Sequence, residues 1–388
     1  MRILYIQATL VPPPVEQEKD RFQMLSQHME GDILQPVWFR TPDEIEAIFG
    51  PGSYPVYTVG RFRYHWFLAY QGQAPKPRWE VLRFYIVEGL RLCRERNPAC
   101  IVVYSHMATA VCALVLKLLG GKRRMIPEVM TNPSQAYLTN RAQPSLADRI
   151  KHFYSDVCLH LTIYFCDRVH LLYPNQLKPY PLLSGKQSSV FHDFTPLAGV
   201  TPRQTDAEQN GGYLVLAGAP WYIKGADMAI EAFRKLAADF PDFRLKIVGH
   251  FPDGVPAKLA EGQSQIEILA PLPHDQLMRL LRGAAVMLQP SRNEGLPRIL
   301  IEGLASGLPL VGTDVAGIPF LIRDGENGFV VPSGDTAMLE RRLRQLLSDR
   351  SLRKTMGLRS LEIATQFTDA TYVSQFTAMV NATVGESS

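Results

Sequence analysis

Short apolar runs alternate with longer amphipathic stretches along most of the chain, which is the pattern of strands and helices that follow one another in a parallel sheet. Apolar runs that predict buried strands lie at 2–7, 33–38, 100–104, 125–130 and 166–173, and then at 213–217, 243–248, 266–269, 284–288, 308–312 and 328–331. Helical spacing of apolar residues occupies the intervals at 16–29, 79–96, 109–119, 145–165, 226–238, 277–281, 336–347, 351–366 and 370–384. The alternation predicts an α/β fold with open parallel sheets.

The length and composition predict two globular domains. A chain of 388 residues is too long for one ordinary hydrophobic core, and its 46% hydrophobic and 20% charged residues are typical of globular proteins. Proline, glycine and polar residues at 196–211 indicate a linker. We therefore expect one domain at 1–200 and a second at 201–368.

The sequence favours a cytoplasmic protein without a bound metal. Residues 1–6 form a strand pattern rather than a signal peptide. The most apolar region, 99–119, contains His106 and Lys117 and indicates a strand and a helix rather than a membrane span. The five cysteines lie in the first half without metal-ligand spacing, so we expect buried, reduced thiols.

One stretch, 287–317, carries the clearest candidate chemistry. A buried strand ends there, a turn follows, and a helix is predicted to begin near Pro297. Gly295 lets the backbone approach a ligand closely, and the free N–H groups and dipole of the helix start favour an anion. Glu294 lies just before the helix start, and Glu302 lies about two turns further along than Glu294, at ~3.6 residues per turn. This layout suits the sugar, diphosphate and ribose of a sugar nucleotide, whereas the alternative is an ordinary helix with two solvated glutamates.

The same stretch resembles the donor site of the retaining glycosyltransferases with the GT-B fold, in the group often called glycosyltransferase family 4. The resemblance rests on Glu294 and Glu302 at that spacing, on the segments 305–309 and 316–319, and on 324–332 downstream. It implies two Rossmann-like domains that face each other across a cleft, with a helix at 369–388 that crosses back to the first domain. It also implies a nucleoside diphosphate sugar, of UDP or GDP type, as co-substrate, with no further cofactor.

The resemblance implies a role for each matching residue. Glu294 would hydrogen-bond hydroxyls of the donor sugar, Glu302 would bind the ribose hydroxyls, and Lys224, which precedes a glycine as the family's phosphate-binding lysine does, would hold the diphosphate. His106 stands where the family has a histidine that faces the donor sugar. The implied catalytic residues are Glu294, His106 and Lys224, and the implied donor-binding residues are Glu302, Gly295, Leu296, Pro297, Arg298, Pro271, Leu272 and Gly218. The backbone at 271–272 would meet the nucleobase.

Two of these residues also have structural interpretations. A lysine at a helix start opposes the helix dipole unless an anion is near, which disfavours a plain surface role for Lys224. For His106, a capping or core role remains open. The chain contains no Asp-x-Asp pair for a metal-held diphosphate, so the resemblance implies a metal-independent, front-side transfer in an ion-pair-like transition state.

The sequence departs from the family pattern at three places. Residues 8–14 contain no glycine, although the family has a glycine-rich turn there; Ala219 replaces an arginine; and only Asp193 remains of a motif at 189–194. Arg292 and Arg298 are candidates to replace the missing cation. These departures support an alternative, a non-catalytic glycosyltransferase-like binding or scaffold protein. A sugar-nucleotide epimerase is disfavoured, because the paired-glutamate segment belongs to the transferase pattern.

The acceptor is less clearly indicated. Residues 50–80 are predicted to be irregular, and arginines alternate there with aromatic residues. This composition suits a membrane interface or an acceptor groove, and it equally suits a segment that packs on the first domain. Residues 1–200 carry 22 Lys and Arg against 16 Asp and Glu, whereas 201–388 carry 19 against 21. The basic half could attract an anionic acceptor or a membrane surface, or be an ordinary imbalance. An acceptor glycan or glycolipid of the cell envelope, with peripheral contact at the inner membrane face, fits the family; nucleic acid is disfavoured, because no basic run or binding motif is present.

Overall fold

The computed structural model describes residues 1–104, 108–121, 123–131, 137–138, 144–195, 197 and 212–385. The chain forms two compact units. The first comprises Met1–Met130, Ile150–Phe194 and Asp369–Ser388, and the second comprises Thr131–Arg149 and Thr195–Thr368.

An eight-stranded sheet forms the centre of the first unit, as far as its residues are described, with the strand order β10-β9-β8-β7-β1-β2-β4-β3. Its strands are β1 Arg2–Gln7, β2 Glu30–Val37, β3 Val56–Val59, β4 Phe62–Leu68, β7 Cys100–Tyr104, β8 Arg124–Val129, β9 Val169–Leu171 and β10 Ser188–Val190. The short strands β5 Tyr70–Gln71 and β6 Ala74–Pro75 pair separately. Neighbours in the large sheet are parallel except β3, which runs antiparallel to β4.

Helices cover both faces of this sheet because its strands are apolar on both sides. They are Arg21–Leu25, Pro42–Phe49, Arg78–Arg96, Ala108–Leu119, Leu146–Phe165 and Asp369–Gly385. Ile3 and Tyr5 point to the face on which Tyr372 and Phe376 of the last helix are buried. Leu4 and Ile6 alternate with them along β1 and point to the other face of the sheet. There they pack against residues of the helices Arg78–Arg96 and Ala108–Leu119.

The aromatic stretch at 50–80 is not irregular, contrary to the sequence prediction. It forms β3 and β4, and Phe62, Tyr64 and Trp66 alternate along β4 with their side chains in the core. The rings of Tyr64 and Trp66 stack with centroids 5.6 Å apart. The packed alternative is therefore correct for these residues, because a period of two places every second aromatic ring on the buried face.

Two predicted elements are shorter in the structure. The region 16–29 contains a 3-10 turn, Gln17–Lys19, and the helix Arg21–Leu25, whose N-cap Asp20 accepts a hydrogen bond from the backbone N–H of Phe22. The strand predicted at 166–173 is reduced to Val169–Leu171.

The second unit contains a parallel six-stranded sheet in its described part, with the order β13-β12-β11-β14-β15-β16. The strands are β11 Gly212–Ala217, β12 Phe243–Val248, β13 Ile266–Leu269, β14 Val286–Gln289, β15 Leu310–Thr313 and β16 Gly328–Val331. The helices are Trp221–Lys224, Ala226–Leu236, Val255–Ala260, His274–Arg282, Arg298–Ala305, Ile318–Leu321, Thr336–Ser348 and Arg350–Ala364. The chain builds outward from β11 to β13 on one side and from β14 to β16 on the other, so the strand order reverses between β11 and β14. Open α/β sheets bind ligands at the carboxyl ends of the strands at such a point.

The buried thiols agree with the sequence prediction, since all five cysteines are free and buried. Burial raises the pKa of the Cys112 thiol to about 11. None of the helices in the described parts of the chain is both long and apolar enough to cross a membrane.

Candidate functional site

Two loops meet at the point where the strand order of the second unit reverses. The loop after β11 leads through the short helix Trp221–Lys224 to Gly225, and the loop after β14 begins at Pro290. Gly225 has a φ of +70°, and a Cβ placed on it would lie 2.0 Å from the carbonyl oxygen of Pro290. Only glycine permits this contact, which brings the Lys224 backbone against the loop that carries Glu294.

Three donors converge on a single oxygen of Glu294. Its Oε1 accepts hydrogen bonds from Lys224 Nζ at 2.6 Å, from Gln289 Nε2 at 2.8 Å and from Ser291 Oγ at 2.9 Å. The Glu294 side chain is 8% exposed and that of Lys224 is 18% exposed. No donor from the described residues lies on the other oxygen, Oε2. The carboxylate is thus held by one oxygen and retains a second with which to accept a hydrogen bond from a ligand.

Gln289 and Ser291 are site residues that sequence reasoning missed. Gln289 ends β14 with its side chain fully buried, and its amide nitrogen also donates to Ser291 Oγ at 3.0 Å. Its amide oxygen has no partner in the part of the chain that the structure describes. The available signal was a glutamine at the end of a strand that is otherwise apolar. A buried polar group at such a place needs a partner, and here the partner is Glu294.

Arg292, one of the two candidates for the missing cation at position 219, is paired with an acidic side chain. Its guanidinium forms two hydrogen bonds with the Asp227 carboxylate, at 2.8 and 2.7 Å, and lies over the Tyr222 ring. Burial disfavours its charge, but the hydrogen bonds and charge of Asp227 outweigh burial and raise the pKa of Arg292. The arginine therefore holds the loop in place and is already paired. Arg298, exposed in the first turn of its helix, remains the candidate.

The helix begins one residue later than the sequence predicts. The helix is Arg298–Ala305, and Pro297 is its N-cap, with φ −69° and ψ 111°. Gly295, Leu296 and Pro297 are buried. The first backbone N–H groups of a helix have no acceptor within it, so those of Arg298 and the next residue can be directed to an anion.

Glu302 and the predicted nucleobase loop lie together. Glu302 is 8% exposed, and its Oε1 lies 3.1 Å from Nε2 of His274. His274 is the first residue of the helix His274–Arg282, and Pro271 and Leu272 precede it in the same loop. No local motif assigns a role to His274, because its contact with Glu302 depends on how two helices that are distant in the sequence pack together.

His106 and Asp193 are two further residues that the sequence analysis named. His106 lies outside the described residues, so its role stays a prediction. Asp193 is buried in the first unit, where its carboxylate oxygens lie 3.4 Å from Arg21 Nη1 and 3.2 Å from the Tyr104 hydroxyl. Among the residues that the structure describes, no group of three or more His, Cys, Asp or Glu side chains is placed to hold a metal ion.

Comparisons with known proteins relate the second half of the chain to one family of enzymes. The family described as glycosyl transferases group 1 matches residues 202–361. An uncharacterized glycosyltransferase of Methanocaldococcus jannaschii is 29% identical over 168 residues, which is 42% of this chain and 45% of the relative. The N-acetyl-alpha-D-glucosaminyl L-malate synthase of Bacillus anthracis is 32% identical over 157 residues, 40% of this chain and 41% of the relative. The chain thus spans less than half the length of these curated relatives.

Solved structures resemble the whole chain at low sequence identity. Sucrose-phosphate synthase from Thermosynechococcus elongatus has a TM-score of 0.77 at 15% identity, covering 100% of both chains. Anabaena HepE in complex with UDP has a TM-score of 0.71 at 14% identity, covering 98% of this chain and 100% of that one. These likenesses confirm the predicted α/β, GT-B fold class, and the predicted resemblance to the glycosyl transferases group 1 family is confirmed for residues 202–361.

Proposed function

We propose that the protein is a retaining glycosyltransferase that moves a sugar from a nucleoside diphosphate sugar to an acceptor hydroxyl. The observation that carries the proposal is the ion pair of Lys224 and Glu294 where the strand order of the glycosyl transferases group 1 domain reverses. A cation and a carboxylate at that point suit a ligand with both a diphosphate and sugar hydroxyls.

Lys224 and the helix start at 295–298 would carry the negative charge of the diphosphate. The ammonium has three donor hydrogens, and the Glu294 contact uses one of them. The remaining hydrogens can bind phosphate oxygens while the lysine stays paired with Glu294. Their attraction grows as the glycosidic bond breaks and charge accumulates on the leaving group, which is the condition for acceleration. In this proposal no metal ion is required.

The two glutamates would divide the rest of the donor between them. Glu294 accepts a hydrogen bond from a hydroxyl of the donor sugar through Oε2, while its three partners fix Oε1. Glu302 binds the ribose hydroxyls, and the loop at 271–272 contacts the nucleobase. His274, beside Glu302, borders the ribose site. His106 is proposed to face the donor sugar from the first domain.

The donor and acceptor classes are also proposals. Anabaena HepE has been solved with UDP and with UDP-glucose, which supports a UDP-type donor here, with GDP the second choice. We assign the donor to 201–368, the acceptor to 1–200, and the acceptor itself to a glycan or glycolipid of the cell envelope. The engagement of Arg292 by Asp227 favours the second candidate function, a non-catalytic sugar-nucleotide-binding protein, because it leaves Arg298 as the remaining candidate for the arginine that is absent at position 219.

Donor turnover without acceptor tests this proposal. The protein is incubated with UDP-glucose, UDP-galactose, UDP-N-acetylglucosamine, GDP-mannose and ADP-glucose in EDTA, and release of nucleoside diphosphate is measured. We expect slow release from one donor type, and release at least tenfold slower with Glu294→Ala at unchanged affinity. Binding without release for every donor and every acceptor tried would favour the non-catalytic candidate. With an accepting sugar, the anomeric configuration of the product by NMR tests retention.

A further inference from the structure

The solvent side of one helix in the first unit is apolar. In Leu146–Phe165 the buried face is formed by Ser155, Cys158, Leu159, Thr162 and Ile163. Seven large apolar or aromatic side chains of the same helix are between 40% and 70% exposed: Ile150, Phe153, Tyr154, Val157, Leu161, Tyr164 and Phe165. At 100° per residue they form one continuous stripe opposite the buried face. We call these seven residues the apolar stripe.

The stripe is as large as the largest apolar patch on a typical monomer, and such patches often bind a partner. Large aromatic side chains each present about 150–250 Å², so the exposed fractions amount to on the order of 600 Å², the upper end of the ~300–600 Å² of the largest apolar patch on a typical monomer. Leu182, two residues after Tyr180, is also 88% exposed, and the Tyr180 ring lies 5.6 Å from the His160 ring of the helix. A helix that is apolar on both its faces needs a second apolar environment.

The charges around the stripe are mainly basic. Lys151 is exposed beside its N-terminal half. At its C-terminal end Lys186 donates to the carbonyl of Tyr164 at 2.8 Å, and Lys117 donates to that of Phe165 at 2.8 Å. Asp156, the acidic residue of 150–165, is paired with His160 at 3.6 Å. Asp167 beyond the helix is paired with Lys117 and Arg124.

This distribution of charge favours an anionic lipid surface over a second copy of the chain as the partner of the apolar stripe. Both ends of the stripe are basic, so a pair of these helices from two copies of the chain would bring like charges together in either orientation. An anionic lipid surface instead offers hydrocarbon to the stripe and phosphate groups to the lysines at its borders. Tyr154 and Tyr164 suit the boundary, because a tyrosine ring has an apolar body and a polar end.

We propose that residues 150–165 form a docking surface for an anionic membrane, on which the helix lies in the plane of the interface with its apolar stripe toward the acyl chains. The 16 residues span about 24 Å at 1.5 Å per residue. The surface replaces the aromatic stretch at 50–80 as the membrane-facing candidate, since Phe62, Tyr64 and Trp66 of that stretch are buried. It makes no use of the donor site and does not depend on the proposed transfer reaction.

Vesicle flotation of the full chain tests the proposal. Vesicles of phosphatidylcholine alone and with 30% phosphatidylglycerol are compared at 0.1 and 0.5 M NaCl. We expect binding to the anionic vesicles and a clear loss at high salt. The double variant Phe153→Glu, Tyr164→Glu should lower the bound fraction at least tenfold, and its side chains are exposed, so folding should be retained; circular dichroism checks this.

A matched control carries the same two added charges elsewhere. Ile48→Glu with Leu358→Glu replaces side chains that are 45% and 51% exposed and lie outside the stripe, and it should bind vesicles like the parent protein. Equal binding of both double variants would overturn the proposal. So would a parent protein that ignores vesicles but dimerises in sedimentation, with the dimer lost in Phe153→Glu, Tyr164→Glu, because the stripe would then be an interface between copies.

Discussion

At the scale of single residues, the site depends on how one carboxylate is oriented. Glu294 directs Oε1 to Lys224, Gln289 and Ser291, and Ser291 is itself fixed because its carbonyl accepts a hydrogen bond from Thr313 Oγ1 at 2.6 Å. The glutamine keeps its own amide oxygen buried without a described partner. Such an orphan costs about 1–3 kcal/mol. We interpret this loss of stability as a consequence of orienting the Glu294 carboxylate toward a ligand.

Replacement of Gln289 by methionine tests this orientation. The change keeps the side-chain volume and removes both the donor to Glu294 and the orphaned oxygen. Loss of the hydrogen bond to Glu294, worth about 1 kcal/mol, together with the one to Ser291, should lower kcat roughly fivefold to tenfold with little change in KM. The free energy of unfolding in urea should stay the same or rise. Gln345→Met, at an exposed position of another helix, is the control. A fall in stability with unchanged kcat would assign Gln289 a purely structural role.

The pattern of residues predicted part of this site but not all of it. Local motifs single out Glu294, Glu302 and Lys224, and the structure pairs Lys224 with Glu294, whereas the ligand-binding roles of all three stay predictions. Gln289 directly follows the strand predicted at 284–288 and receives no role, and Arg292 is one of two candidates for the missing cation. The partner of Arg292 is Asp227, 65 positions earlier, and His274 reaches Glu302 across 28 positions. These pairings depend on tertiary packing, which local spacing does not contain.

At the scale of elements, a glycine between two helices joins the halves of the site. Gly225 ends the helix Trp221–Lys224 and precedes Ala226–Leu236 in a left-handed conformation. Gly254 has nearly the same φ, +65° against +70°, and also precedes a helix, but a Cβ there would meet no atom within 4 Å. A comparison of the two glycines therefore distinguishes the cost of the left-handed backbone from the cost of the close contact with Pro290.

Gly254→Ala and Gly225→Ala should lower the free energy of unfolding by different amounts. Gly254→Ala introduces only the left-handed strain of an alanine, about 1 kcal/mol. Gly225→Ala adds the clash with Pro290, so we expect at least about 2–4 kcal/mol of lost stability by urea unfolding. Surviving Gly225→Ala protein should also bind nucleotides more weakly, since the backbone shift at Gly225 would move Lys224 away from the proposed diphosphate site. Equal losses for the two variants would contradict the role assigned to the contact with Pro290.

Another element-scale contact fixes the helix Ala108–Leu119 and the start of β8. The Asp167 carboxylate accepts hydrogen bonds from Lys117 Nζ at 2.7 Å, Arg124 Nη1 at 2.9 Å and the backbone N–H of Met125 at 2.8 Å. Burial alone would raise the pKa of Asp167, but the hydrogen bonds from Lys117 and Arg124 outweigh burial and lower it. A lowered pKa in the folded state means that this stabilisation is present above the unfolded pKa of about 4 and is lost as the pH falls through the folded pKa.

Replacement of Asp167 by asparagine should remove that pH dependence. We expect a loss of about 2 kcal/mol at pH 7 and a smaller difference from the parent protein as the pH falls from 5 to 3, measured by urea unfolding at each pH. Asp275→Asn, which breaks an exposed pair with Arg279, should change stability little at any pH. A difference between parent and Asp167→Asn that stays constant down to pH 3 would contradict the ionic origin.

At the scale of the whole molecule, the chain returns to its first unit at its C-terminal end. Tyr372 and Phe376 of the helix Asp369–Gly385 are fully buried, and the Tyr372 ring lies 5.9 Å from Phe191 and 5.4 Å from Phe194. The alternation of strands and helices predicted both sheets and this helix, with most boundaries within two residues. The shortened helix at 16–29 and the β3–β4 hairpin were missed, because side-chain capping and pairing with β2 decide them.

Truncation of Phe376 tests whether the first unit requires this helix. Phe376→Ala leaves a cavity beside the sheet and should cost about 3–5 kcal/mol. Gln375→Ala, one position earlier on the exposed side, should cost less than about 0.5 kcal/mol. Thermal or urea unfolding of both variants gives the comparison. A small cost for Phe376→Ala would mean that the helix contributes little to the core.

The central claim is that Lys224, the helix start at 295–298 and Glu302 bind a nucleoside diphosphate. Isothermal titration of UDP, GDP and ADP into the parent protein, Lys224→Ala and Glu302→Ala tests it most directly. The account predicts micromolar binding of one of these nucleotides to the parent protein and at least tenfold weaker binding to each variant. Absence of binding for all three, or equal affinity of the parent protein and both variants, would contradict it.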